Sequence, residues 1–533
     1  MSGFVDVQRP PDAVRVFGAD GEIAVHPTPD GLWSGDGVVV GLAVEPDRIG
    51  VRLSATTGVA RLALRWRGDP GDDVRYLGDH WERSYGDLEW RGDTAERVLP
   101  WMLLAHRPRA GAVTHGYGVR VRPGALCFWT ADRGGLTLWA DVRSGGRPVQ
   151  LRGRVLSVAD VVGRRGEPGE GAVAAQRALC RLLCDDPLMP PHPVVGTNDW
   201  HVHYGRADAR VILDTARQLV EWSPDGTRPY CVIDDGWSQG GLGVGPWYGN
   251  ERFGDMGALA GRMRDAGARP GIWYRPLTAV PGASRPSRGG PRLLRDGVLD
   301  PSVPEVLASV GEHVRRLVGW GYELVKHDFT TWDVLGRWGF AMGATVTDDG
   351  WGFARDDLTT AEVLLDLYRT VRGAAGPALL IGCNTIGHLA AGLVELQRIG
   401  DDTSGVSWNR TRRMGVNALA FRAAQHGTFF AVDADVTPVT PHLPWPLARG
   451  WLDLVADSGT PLFVSVAPDV DDPAVLAAVR DAVARAARAH RAAGPVAEPL
   501  DWFDTRCPRR WRVDGADRTV DWSGADGPWP FAD

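Results

Sequence analysis

Cysteine is scarce: Cys127, Cys180, Cys184, Cys231, Cys383 and Cys507 are all that 533 residues carry, with no CxxC pair. Neither a zinc cluster nor a disulfide framework is readable from such spacings. Equally missing is any apolar run near the ~20 residues of a membrane span. The opening "MSGFVDVQRPPDAVRVFGADG" has no basic leader followed by an apolar stretch, so no signal peptide is expected. Charge forms no long run of either sign; the net charge is −7, and arginine is interleaved with Asp and Glu. Nucleic-acid binding, which needs a concentrated basic face, is thereby excluded as the main activity. Internal repeats and low-complexity linkers are absent too. These absences leave a reduced, cytoplasmic, soluble protein as the expectation, without nucleic-acid or membrane partners and free to form a homo-oligomer.

What the chain does have is tryptophan, 23 residues of it. Most must fill a large core, but a few indole faces suit the C–H face of a sugar ring. Up to about residue 175 short alternating runs between Gly, Pro and Asp turns, such as "GVVVGLAVEPDRIGVRLSATTGVARLALRWRGD", predict an antiparallel β-sandwich. A helical linker, "AAQRALCRLLCDD", and the proline-rich "PLMPPHPVVG" close that domain near residue 190. From 191 to 494 strand and helix alternate. The predicted strands are 194–200, 229–237, 268–276, 322–329, 378–385, 395–402, 428–435 and 460–467. Eight such units predict a (β/α)8 TIM barrel, and the Gly-rich phosphate turn of a doubly wound sheet is missing after the first strand. Residues 495–533 predict a small C-terminal β segment. The fold class is therefore α/β: sandwich, barrel, β appendage.

Catalytic side chains of a barrel sit at the C-terminal ends of its strands. Those ends read Asp199 and Trp200, Asp234 and Asp235, Trp273, Lys326 and Asp328, Cys383 and Asn384, Arg398 and Asp402, Asp433 and Asp435. Carboxylates accept from hydroxyls, Lys and Arg donate to hydroxyl oxygens, and Trp packs a ring face, so the set suits a sugar. Asp328 and Asp402, on the fourth and sixth strands, can face each other across it as a glycosidase pair. A strand-end Asp also commonly caps the next helix, and "DADV" at 433–436 fits that reading best. Asp401 either orients Asp402 or replaces it. His201, His203 and His327 lack the further ligands of a metal site. Cys383 has no His–Asp partnership around it and is expected to pack or touch ligand.

The ordered motifs "VIDDGW", "GIWYRP", "VKHDF", "LIGCNT" and "QRIGDDTS" resemble those of glycoside hydrolase clan D. The likeness is greatest to family 36, the α-galactosidases and raffinose synthases, with family 27 more distant; it covers roughly residues 194–466. The resemblance implies retaining cleavage of terminal α-galactosides without a cofactor. It makes Asp328 the nucleophile and Asp402 the acid/base. It assigns Asp234 and Asp235 to the 4- and 6-hydroxyls, Lys326 to the 3- and 4-hydroxyls and Arg398 to the 2-hydroxyl. Cys383 falls on the 2-substituent contact, and Trp200 and Trp273 wall the pocket. It also brings the loop "DHWERSYGDLEW" (79–90) to the rim, through Trp81 or Arg83; an inter-domain salt-bridge cluster is the competing reading. Three departures stand out. His327 replaces the usual aromatic between Lys and Asp, "CNTIGH" replaces the Gly-rich stretch that commonly follows the Cys and leaves the 2-substituent open, and the stretch 333–357 is long. A transglycosylase, an α-N-acetylgalactosaminidase, a β-L-arabinopyranosidase and a non-catalytic sugar binder are the alternatives.

Overall fold

The computed structural model describes residues 3–92, 95–108, 112–278, 297–488, 497–524 and 527. Its first domain is two antiparallel sheets, one of six strands and one of eight. Alternation drives it. In Ile49–Ala55 and Arg61–Arg67 every second side chain is apolar and buried between the sheets. Trp66 and Trp129 meet there with ring centroids 6.0 Å apart. The helix Ala172–Leu183 lies across the second sheet and also donates from Gln176 Nε2 to the carbonyl of Phe421, 2.8 Å away.

The second domain is a parallel sheet of nine strands: β1 (Val195–Asn198), β2 (Tyr230–Ile233), β3 (Arg269–Tyr274), β4 (Leu324–His327), β5 (Leu379–Gly382), β6 (Leu396–Arg398), β7 (Ala431–Asp433), β8 (Val436–Val439) and β9 (Leu462–Val466). Nine replaces the eight predicted because the seventh unit is broken in two. β7 pairs with β6 and β8 pairs with β9, so the ring passes through the break. Asp435 sits there with φ of 69°, a left-handed conformation that Asp tolerates better than most residues and a regular strand cannot contain.

Helices pack outside the ring. Among them α1 (Ala209–Trp222) is capped by Asp208, and α2 (Thr360–Ala375) by a Thr359–Glu362 capping box. Inside the ring, the period of two builds layers. The lower layer is apolar, with Tyr230, Val232, Leu324, Leu379, Leu396 and Phe463 packed together. Further along those strands the same inward face becomes Asp234, Lys326, Cys383 and Arg398. The outward face is Val325 and His327 on β4, against α2. A three-stranded antiparallel sheet, Ala497–Pro499, Arg510–Val513 and Ala516–Thr519, follows the barrel.

Candidate active site

Asp328 leaves β4 at the barrel mouth, buried on the inward face. Its Oδ1 accepts the backbone N–H of Phe329 at 2.7 Å and of Asn384 at 3.0 Å, and its Oδ2 accepts the Trp273 indole N–H at 3.1 Å. Phe329 has φ of 62°, a costly conformation for a bulky residue, and it turns its N–H back onto the carboxylate. Burial opposes ionisation of Asp328, but the charges of Arg83 and Lys326 with the Trp273 and Phe329 bonds outweigh it. Its carboxyl therefore sits below the usual range.

Lys326, on the same face, donates from Nζ to Asp234 Oδ2 at 2.6 Å. Despite burial, the Asp234 carboxylate holds the ammonium above its ordinary range. Asp234 Oδ2 also accepts Asn198 Nδ2 at 2.6 Å, and the Asp234 N–H donates to Asp199 Oδ1 at 2.7 Å. Asp235 turns the other way: its Oδ1 accepts the N–H groups of Gly236 and Gly243 at 2.7 and 2.8 Å. Gly236 has φ of 102°, and a Cβ there would lie 2.6 Å from the carbonyl of Gly205. The third residue of "DDG" has to be glycine. Burial, with the Asp234 charge, pushes Asp199 up to about 7 and Asp235 up to about 6.

Across the mouth, Asp402 Oδ1 receives Arg398 Nη1 at 2.8 Å and lies 3.6 Å from Arg83 Nη1. Its side chain is 38% exposed against 16% for Asp401, which takes Arg83 Nη2 at 3.1 Å and Arg410 Nη2 at 2.7 Å. Arg398 is held at both Nη atoms. It also pairs with Asp435 and stands 3.6 Å from Asp433. The expectation that "DADV" merely caps a helix is overturned. Asp435 bonds Arg398, His201 Nε2 at 2.9 Å and the Thr403 N–H at 2.7 Å. Breaking the strand is what aims Asp435 inward.

Arg83 comes from the first domain. Its loop enters the mouth by two backbone bonds: Ser84 N to Ile399 O and Asp401 N to Ser84 O, each 2.9 Å. The salt-bridge reading of that loop describes Arg83, which touches both aspartates of "DD". Trp81 does not reach the mouth. It is 2% exposed and packs against Trp101 and Phe128 in the sandwich. Trp200 starts the short helix Trp200–His203, half-buried and edge-on to Tyr204. Burial and the charge of Asp328 push the Cys383 thiol well up, so it stays protonated beside the carboxylate.

Sequence reasoning passed over Glu82. Its buried carboxylate accepts Asn384 Nδ2 and the Tyr85 hydroxyl, and takes the Gly339 N–H at 2.9 Å. Asn384 is the residue whose N–H holds Asp328. Asn198 was passed over too, although it occupies the strand end just before Asp199. Among the described residues no group of three or more His, Cys, Asp or Glu is arranged to hold a metal. No helix there is long and apolar enough to cross a membrane. A cleft of about 590 Å³ lies between the sandwich and residues 352–356, not at this mouth.

Neither a family model nor a curated protein matches the chain. Solved structures do. The α-galactosidase of Thermus thermophilus bound to p-nitrophenyl α-D-galactopyranoside has a TM-score of 0.60 at 19% identity, over 94% of this chain and 99% of that one. The same enzyme with stachyose has a TM-score of 0.56 at 20% identity, over 84% and 97%. A family 36 α-galactosidase of Geobacillus stearothermophilus has a TM-score of 0.57 at 16% identity, over 90% and 76%. The chain shares their fold: N-terminal sandwich, parallel barrel and C-terminal β segment.

Proposed function

We propose that the protein is a retaining exo-acting glycoside hydrolase of terminal α-galactosides. The observation that carries this reading is Asp328: a buried carboxylate kept ionised by two cations and three N–H donors, at the closed end of a mouth lined with hydroxyl-binding groups. Such a group attacks the anomeric carbon and forms a glycosyl–aspartate. Asp402, the more open of the two adjacent aspartates, protonates the leaving oxygen and then activates water. Asp401 is saturated by two arginines and acts as its support. Asp234, Asp235 and Lys326 take the hydroxyls of the sugar, Arg398 reaches its 2-position beside Cys383, and Trp273 with Trp200 lines the pocket.

The test is hydrolysis of p-nitrophenyl α-D-galactopyranoside, with proton NMR of the first-formed anomer. Release of α-galactose by the wild type, with Asp328→Ala inactive, supports the glycone, the nucleophile and retention together. First release of the β-anomer refutes retention. Asp402→Ala should lose roughly 10²–10⁴-fold in kcat/KM on galactosides of unactivated alcohols and far less on the nitrophenyl galactoside, because that leaving group needs little protonation. Turnover of the α-N-acetylgalactosaminide or β-L-arabinopyranoside in place of the galactoside reassigns the glycone.

A further inference from the structure

The rim beside Asp402 is aromatic and its charged groups are already engaged. Arg83, which reaches Asp401 and Asp402, lies over Trp338 with its guanidinium carbon 5.4 Å from the ring centroid. Trp332 stacks on Trp338 at 4.5 Å with the planes 22° apart, and Phe329 meets Trp338 edge-on at 5.9 Å. Both indoles are only half-buried. Phe340, two residues on, is 62% exposed; Leu242, on the loop after β2, is 58% exposed and Val406, on the loop after β6, is 60% exposed.

Around them, Arg337 is bonded to the Thr345 carbonyl and Asp348, both at 2.6 Å. Asp333 pairs with Arg275 at 2.5 Å, and Arg410 with Asp401 and the Asp402 carbonyl. A leaving sugar would surrender water from several hydroxyls on entering this rim, and groups already held by internal partners repay that loss poorly. An apolar leaving group loses nothing and covers exposed aromatic surface.

We propose that the aglycone side is built for apolar alcohols, alkyl or polycyclic, and not for a second sugar. The proposal rests on the α-galactosidase reading of the same site. Methyl α-D-galactopyranoside, n-octyl α-D-galactopyranoside and melibiose all release a primary alcohol or methanol, so leaving-group acidity differs little between octanol and the glucose 6-hydroxyl. The octyl galactoside should exceed melibiose in kcat/KM by about tenfold, the effect of burying roughly two methylenes. Trp338→Ala should bring the octyl-to-methyl ratio of kcat/KM toward one. Phe340→Ser, at an exposed position that folding does not depend on, should lower the same ratio. Melibiose matching or exceeding the octyl galactoside overturns the proposal, as does a ratio that neither variant moves. No hydrolysis of these substrates or of the nitrophenyl galactoside instead overturns the galactosidase reading, and the aglycone proposal with it.

Discussion

Replacing Glu82 by alanine removes the acceptor that three buried donors share: Asn384 Nδ2, the Tyr85 hydroxyl and the Gly339 N–H. Each buried donor left unpaired costs about 1–3 kcal/mol, and some water will enter the space left, so a loss of roughly 3–5 kcal/mol is expected. Catalysis should suffer separately. The Asn384 N–H lies 3.0 Å from Asp328 Oδ1, and the Asn384 side chain is pinned between Glu82 and the Trp332 N–H, 2.8 Å from its Oδ1. Releasing one pin misplaces one donor to Asp328, which should lower kcat by roughly 10–100-fold. KM should hold, because Glu82 is 1% exposed and meets no sugar. Calorimetry and steady-state kinetics on the nitrophenyl galactoside read the two effects. Glu82→Gln separates them further: it keeps an acceptor for Tyr85 and Gly339 but turns an N–H toward Asn384, so it should restore stability more than kcat. A variant with a lowered thermal midpoint and full kcat would refute the reasoning, leaving Glu82 as inter-domain glue only.

Two pH effects follow from the same geometry. Asp235, pushed up to about 6 first by burial, takes up a proton as the pH falls through that value; kcat/KM should decline there, and Asp235→Asn should lack that limb of the profile. An unchanged limb in the variant would assign it elsewhere. His327 and His388 are buried and held down to about 4 by that burial. Unfolded histidine titrates near 6.5, so between 6.5 and 4 the unfolded chain binds protons that the native one refuses. Stability is therefore full above pH 6.5 and falls toward pH 4, by on the order of 3 kcal/mol for each histidine. The thermal midpoint should drop from pH 7 to pH 5, less steeply in His327→Phe; equal slopes would argue against it.

The barrel was legible because its strands are short. With side chains alternating, an apolar pair and then a polar residue on one face announce the inside of a ring and its mouth, as Tyr230, Val232 and Asp234 do. The same alternation accounts for His327, which points outward at Tyr368 of α2, 5.9 Å between ring centroids, and so leaves the inward face to Lys326 and Asp328. The break between β7 and β8 was not legible, since "AVDADVTPV" is as apolar as an intact strand and only the φ of Asp435 interrupts it. The ion pairs that hold Arg398 were not legible either, because its partners at 433 and 435 lie on that broken unit. Glu82 escaped notice for a different reason: 302 residues separate it from Asn384, and no local pattern encodes a contact of that range. The loop around it was singled out for Trp81 or Arg83; Trp81 packs its ring on the sandwich while Glu82 and Arg83 turn into the mouth.

Ser84 and Gly400 form a parallel bridge two residues before Asp402, so a chain from the sandwich lengthens the barrel's own ladder beside Asp401 and Asp402. Modular exchange is therefore barred. A barrel grafted onto a foreign partner would lose the neighbour that fixes Asp401 and Asp402. The two domains must be inherited together, and any drift in the sandwich that shifts this loop is exposed to selection on turnover. The placing of Asp401 and Asp402 doubles as a report that the two halves have docked.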